Sequence, residues 1–211
     1  MFEDFPRTGT YRTILADPPW HYEQALAGQR GELPYESMTD ADILALPVRE
    51  AAAPDCLLLL WTTNSHLPLA LRCVESWGFT YQVMATWGKV TADGKRPHIG
   101  LGYRLRGATE HLIWAERGKP WKGRGPHGAA GHAWATLVLA PRGEHSHKPE
   151  TFYAMAEDVG AAPRLELFAR AHRGGWDTWG NVTLKARQDT LTGFGDAIAL
   201  GSGPTETTGQ A

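Results

Sequence analysis

The chain reads as an α/β protein in three layers, with a largely parallel sheet packed between helices. Three observations lead there. Residues 56–62, Cys-Leu-Leu-Leu-Leu-Trp-Thr, form a continuous apolar run of the kind buried on both faces of a parallel sheet. Apolar residues then recur at Leu67, Ala70, Leu71 and Val74, a helical period, and residues 79–87 alternate behind them. Strand, helix and strand in that order make a βαβ unit. A further apolar run, Thr13-Ile14-Leu15-Ala16, stops at two prolines, which fix φ and remove a ladder donor, so a buried strand ends there abruptly.

Taken in order, residues 1–11 are short and mixed and lead into a strand at about residues 12–16. Residues 21–38 carry Gly, Gln, Glu, Tyr22 and Tyr35 without periodicity, and read as a long polar loop of the kind that closes over substrates. Thr39 and Asp42 form a capping box that starts a short helix, which Pro47 interrupts. Residues 51–53 finish a second turn before Pro54. Ser65 is placed to cap the next helix, Pro68 lies in its first turn, and Gly78 ends it.

From Gly88 the composition changes to Gly, Lys, Arg, Pro and His, apart from a strand at about residues 110–115. Residues 135–140 are another apolar strand. Ser146-His147-Lys148-Pro149-Glu150 then opens a helix over residues 149–159 that buries Phe152, Ala156 and Val159. Residues 164–170 read as a strand with charge on both sides of an apolar pair, and residues 174–181 as a turn and a short strand. The expected domain spans residues 1–190, with a basic substrate-recognition insert at about residues 88–134. Residues 191–211, rich in Gly, Thr, Ser and Ala, read as a disordered tail.

The bulk numbers exclude several classes. The 211 residues suffice for one domain with a sizeable core. Neither an 18-residue apolar run nor a charged-then-apolar leader is seen, so neither a membrane span nor a secretory signal is expected. Cys56 and Cys73 read as buried thiols in a reducing, cytoplasmic setting. No His/Cys set has zinc spacing, so no metal is expected. The net charge of −2 argues against a general nucleic-acid coat, but its distribution is uneven. Residues 89–124 hold nine Lys/Arg against three acids, a balance of +6 that leaves −8 for the remainder. Such a concentration suits either a solvated loop or a phosphate-binding face, with Lys95, Arg96, Arg104 and Arg106 at its centre.

Asp17-Pro18-Pro19-Trp20 offers a carboxylate, a carbonyl and an aromatic plane where a parallel strand ends, the place open α/β sheets put their chemistry. Two acceptors beside a ring suit an exocyclic amine on a flat heterocycle on which the ring stacks; on a duplex the base must be flipped out, with Trp20 or Tyr22 stacking on it. Lys148, before a helix N-terminus, makes a good carboxylate pocket.

These stretches resemble the MT-A70 family of adenine-N6 methyltransferases. The resemblance covers about residues 10–182 and rests on residues 17–20, 146–149, 165–170 and 176–181 in that order. It implies a Rossmann-like methyltransferase fold with permuted motifs, the catalytic one before the cofactor one. It also implies S-adenosyl-L-methionine as cofactor, with Leu-Glu-Leu-Phe-Ala-Arg standing where relatives have a Gly-containing turn. By this resemblance Lys148 binds the methionine carboxylate, and Asp17 the cofactor amino group or the target N6. Arg170 and Asn181 contact ribose and adenine, Glu166 and Phe168 shape that pocket, and His172 aligns with a cofactor-side position. The expected substrate is adenine in DNA, with RNA the alternative. A homodimer or heterodimer fits the family, as does an inactive nucleic-acid-binding subunit, against which the intact tetrapeptide argues.

Overall fold

The computed structural model of the protein describes residues 2, 4–21, 38–101, 104–121, 134–143 and 147–180. Seven strands make one sheet: β1 (Tyr11–Ala16), β2 (Ala52–Thr62), β3 (Thr80–Val90), β4 (Thr109–Arg117), β5 (Leu137–Pro141), β6 (Arg164–Leu167) and β7 (Asp177–Trp179). Their order is β5-β3-β4-β2-β1-β6-β7. β1 is parallel to β2 and β6, β6 to β7, and β3 to β5. β4 runs antiparallel to both of its neighbours, β2 and β3. The strand–helix–strand unit expected from the sequence is present and parallel, but its strands are not neighbours, because β4 returns between them.

Helices cover both faces. α1 (Asp40–Leu44), α2 (Val48–Ala51) and α3 (Leu67–Ser76) pack with Ile14, Ala16, Leu58 and Leu60 on one side. α4 (Glu150–Val159) packs with Leu15, Leu57, Leu59 and Trp61 on the other. Successive side chains of a strand point to opposite faces, so β2 needs apolar residues at every position to fill both cores. Its four leucines are at most 1% exposed. Burial of each contributes about 2 kcal/mol, which fixes β2 at the centre.

Several boundaries depart from the sequence reading for local reasons. β2 begins at Ala52 and carries Pro54 within it. The β1–β2 register shifts between Tyr11 and Thr13, so exposed Pro54 and Asp55 fall in an irregularity where a missing donor costs nothing. The capping box of α1 is present, with Asp42 N donating to Thr39 Oγ1 at 3.1 Å. Ser65 does not cap α3. His66 occupies the N-cap position without a side-chain cap bond, and its ring turns back toward Thr63 Oγ1, 2.9 Å away. Pro149 sits at the N-cap of α4, one position before the first helical residue.

The strand expected over residues 164–170 stops at Leu167, because Phe168 adopts φ +64°, a left-handed conformation. The turn is held by the Trp179 carbonyl, which accepts hydrogen bonds from both Phe168 N and Ala169 N. Gly180 makes that closeness feasible, since a Cβ there would lie 2.7 Å from Phe168 Cα.

Candidate active site

Parallel strands β1, β2 and β6 end on one edge of the sheet, and antiparallel β4 begins on it. Asp17 N donates to Leu167 O at 3.5 Å, so the ends of β1 and β6 are joined where each chain leaves the sheet. A cleft of about 380 Å³ opens there. Of the residues singled out in the sequence, Asp17, Lys148, Glu166, Phe168, Arg170 and His172 all line it. Tyr22 and Asn181 lie outside the described residues.

From Asp17 and Lys148 in the cleft a row of alternating charges runs back into the sheet edge. Lys148 Nζ stands 3.0 Å from Asp17 Oδ2 and 3.0 Å from Glu110 Oε2. Lys89 Nζ donates to Glu110 Oε1 at 2.6 Å. The Trp61 ring flanks the Lys148 ammonium, 5.1 Å from its centroid. Burial alone would push the Lys148 pKa down, but Asp17 and Glu110 outweigh it and hold it above the ordinary lysine value. Burial would likewise raise Glu110, and Lys148 and Lys89 together bring it below the usual carboxylate range. Lys148 and Glu110 therefore stay ionised near neutrality.

Glu110, Lys89 and Trp61 were not among the residues expected at the site. Lys89 and Glu110 counted only toward the charge of the basic insert, and Trp61 toward the apolar run. Glu110 is brought in because β4 is antiparallel and starts at this edge. Its neighbour His111 is 8% exposed and fixes the same strand end. Asn64 Nδ2 donates to Thr109 Oγ1 at 2.9 Å, which leaves Asn64 Oδ1 to accept from His111 Nε2, also at 2.9 Å. His111 Nδ1 then accepts from Thr86 Oγ1 at 3.1 Å. Burial lowers the His111 pKa against the pull of Glu110, which favours this neutral tautomer.

The Asp17-Pro18-Pro19-Trp20 turn differs in two respects from its sequence reading. The Pro18 carbonyl is not bare, since Trp20 N donates to it at 2.8 Å, which leaves it one further lone pair. Trp20 is 4% exposed, and its ring stacks on His66 with centroids 5.7 Å apart and planes 13° from parallel. The indole therefore anchors the turn to the start of α3 rather than presenting an open face for a base. Its Nε1 is buried with no hydrogen-bond partner.

The opposite wall comes from α4 and the segment after β6. Tyr153 OH donates to Glu166 Oε1 at 2.8 Å. Burial raises the pKa of both groups. Arg173 lies over the Tyr153 ring, 3.9 Å from its centroid, and its Nη2 reaches both oxygens of Glu150 at 2.8 and 2.6 Å. His172 Nδ1 is 3.2 Å from Thr178 Oγ1 on β7. Phe168 packs edge-on against Trp179, with centroids 5.5 Å apart.

Lys95, Arg96, Arg104 and Arg106 do not line the cleft. They are exposed on the excursion between β3 and β4, residues 91–108, which leaves and re-enters the sheet at the same edge. Thr91 N donates to Arg96 O at 2.8 Å and Gly100 N to Gly107 O at 2.7 Å, so the excursion is hydrogen-bonded to itself. No helix among the described residues is long and apolar enough to cross a membrane.

The family model described as MT-A70 matches residues 11–182, which span every strand and helix above. The chain belongs to the MT-A70 family. It is 32% identical over 177 residues to the N(6)-adenosine-methyltransferase MT-A70-like protein of Arabidopsis thaliana, covering 82% of this chain and 24% of that one. Against the human N(6)-adenosine-methyltransferase catalytic subunit METTL3 it is 29% identical over 179 residues, 82% of this chain and 28% of that one. The chain thus spans about a quarter of the length of these N(6)-adenosine-methyltransferases. The type II methyltransferase M.MunI of a Mycoplasma species is 29% identical over 203 residues, covering 85% of this chain and 80% of its own. The seven-stranded sheet with helices on both faces is the Rossmann-like arrangement expected of an MT-A70 protein.

Methyltransferases of this family use S-adenosylmethionine. The donor set of the cleft suits that molecule chemically. It combines carboxylates for an ammonium and hydroxyls, cations for a carboxylate, and aromatic rings beside a flat base.

Proposed function

We propose that this protein transfers a methyl group from S-adenosylmethionine to N6 of adenine in DNA. The observation that carries the reading is the Asp17 turn: a carboxylate held by Lys148 at the end of β1, in the cleft that the end of β6 completes.

An adenine amine is a poor nucleophile because its lone pair is delocalised into the ring. The Asp17 carboxylate and the remaining lone pair of the Pro18 carbonyl accept its two N–H groups. That arrangement favours a pyramidal nitrogen and aims its lone pair into the cleft. Lys148 restricts Asp17 to one position, and Trp20 fixes the turn from behind. The rate then comes from positioning and from acceptors already in place as positive charge develops on the nitrogen. Bound in the cleft, the cofactor supplies an electrophilic sulfonium methyl. Glu166, Phe168, Arg170, His172 and Asn181 are the residues we assign to its nucleoside end. We assign the exposed cations Lys95, Arg96, Arg104 and Arg106 to phosphate contacts.

Support for DNA comes from M.MunI, a type II methyltransferase matched over most of both chains. RNA is the second reading, favoured by similar identity to the N(6)-adenosine-methyltransferases. We take residues 1–190 as the catalytic domain, with residues 88–134 carrying substrate recognition.

The test is methyl transfer from labelled S-adenosylmethionine to matched duplex DNA, single-stranded DNA and RNA, with nucleoside mass spectrometry of each. N6-methyladenine confined to a DNA pool is the expected result. The product in RNA alone would move the assignment to the second reading. Methylated cytosine, or no product beside tight cofactor binding, would overturn it.

A further inference from the structure

We propose that Leu105 is a wedge that enters the base stack of duplex DNA and holds open the gap left by the target adenine. The proposal rests on the DNA reading above and adds how the target base is kept out of the helix.

Leu105 is 87% exposed, the most of any large apolar side chain among the described residues. Its setting is cationic. Arg104 and Arg106 flank it, and Lys95 and Arg96 share the excursion over residues 91–108, where Asp93 is the single acid, so the balance of the segment is +3. Ile99 and Leu101 add further exposed apolar surface to the same excursion. Cations around an apolar side chain call for a partner that is anionic outside and apolar within. Duplex nucleic acid has that chemistry, with phosphates on its surface and stacked bases inside. Aliphatic side chains enter such a stack between base steps.

A wedge has to be stiff and close to the chemistry. Gly100 N donates to Gly107 O at 2.7 Å, and Gly107 N donates back to Leu101 O at 3.2 Å. Arg106 Nε adds a bond to Gly100 O at 2.6 Å. The neck is tight, since a Cβ on Gly100 would lie 3.0 Å from Gly107 O. Beyond it Lys89 N donates to Ala108 O at 2.8 Å and ties the neck to the sheet. Leu105 therefore stands on a closed loop rather than on slack chain. Its backbone lies within roughly 18 Å of Glu110, the reach of five extended residues and about five base-pair steps. Glu110 in turn meets Lys148 at 3.0 Å, beside Asp17. Trp20 is unsuited to fill the gap, being buried and stacked on His66.

The test measures N6-methyladenine formed on a random-sequence DNA library, offered as duplex and as separated strands, and on an RNA library of the same composition. Leu105→Ala, at an exposed position that folding does not need, should slow turnover on the duplex by roughly tenfold and leave the separated strands unchanged, since they have no stack to hold open. Leu105→Phe, large enough to fill a base step, should restore turnover on the duplex. The salt dependence of duplex binding should match that of the parent in both variants, because the phosphate contacts belong to the cations. No loss in Leu105→Ala, an equal loss on both forms of DNA, or no recovery in Leu105→Phe would overturn the wedge. So would a parent that methylates separated strands alone, or a change of molecular mass in Leu105→Ala by light scattering, which would make Leu105 a contact between protein chains. A parent that methylates adenine only in RNA, or in none of the pools, would instead overturn the DNA reading on which the wedge stands.

Discussion

Asp17 and Lys148 meet at 3.0 Å although one leaves the first strand and the other precedes the last helix. The contact ties the chemistry of the Asp-Pro-Pro-Trp turn to the start of α4. Asp17→Asn keeps the shape and removes the charge. Methyl transfer should fall at least about 100-fold, equivalent to ~2.7 kcal/mol of barrier. Binding of S-adenosylmethionine should weaken yet stay measurable by calorimetry. Full activity in this variant would remove the central role given to the turn.

Glu110 is the hinge of the charge row, since it touches both lysines. Glu110→Gln leaves Lys89, with an 18% exposed side chain, without its anion. The expected loss of stability is about 1–3 kcal/mol, read from urea unfolding. Lys89→Met made in the same background should recover part of it, because the orphaned charge goes with it. If Glu110→Gln melts like the parent, the row does not support the fold.

His111 provides a pH signature. Its folded pKa is depressed below 6.5 by burial, so the unfolded chain takes up the proton first as pH falls. The stability it contributes is present above pH 6.5 and is lost as pH drops from there through the folded value. Thermal midpoints measured from pH 7.5 down to 5.5 should decline, and His111→Gln should flatten that decline. An identical slope in the variant would place the titration elsewhere.

Gly180 is the spacer under the Phe168 turn. Gly180→Ala sets a methyl 2.7 Å from Phe168 Cα at a φ of +143°, where an L side chain is strained. We expect about 2 kcal/mol of destabilisation and a clear loss of cofactor affinity, by unfolding and by calorimetry. Unaltered affinity would mean that the turn does not shape the nucleoside end.

The exposed cations of the excursion give a test away from the cleft, although Arg106 Nε also donates to Gly100 O at 2.6 Å. Neutralising Lys95, Arg96, Arg104 and Arg106 should weaken nucleic-acid binding and shallow its dependence on salt, with stability within about 1 kcal/mol of the parent, the Arg106 bond to Gly100 O being lost. An unchanged salt slope would take the phosphate contacts off this surface.

How far these relationships could be read in advance depended on whether they were local. The end of β1 at Pro18, the capping box at Thr39 and the two-sided burial of β2 follow from residues adjacent in the chain. The Glu110–Lys148 contact does not, because it needs β4 to run antiparallel between β2 and β3, and no periodicity reports a strand's neighbours. Trp20 illustrates a second limit. An aromatic residue after a turn packs inward or faces out with equal ease on sequence alone, and here His66, far along the chain, decides it. The turn at Phe168 was hidden for the opposite reason: an apolar residue in an apolar run looks like more strand, and only Gly180 beneath it lets the backbone bend.

Because β4 runs against the other strands, the segment between β3 and β4 departs from the working edge of the sheet and comes back to it. Both of its roots are pinned by ladder pairs, Thr86 with His111 and Gly88 with Thr109. Lengthening, shortening or exchanging residues 91–108 should therefore leave the Asp17 turn and the end of β6 where they are. On the proposed function the fold works as a socket: one engine fitted with interchangeable readers, whose target sequence can drift in evolution or be regrafted at the bench without rebuilding the chemistry.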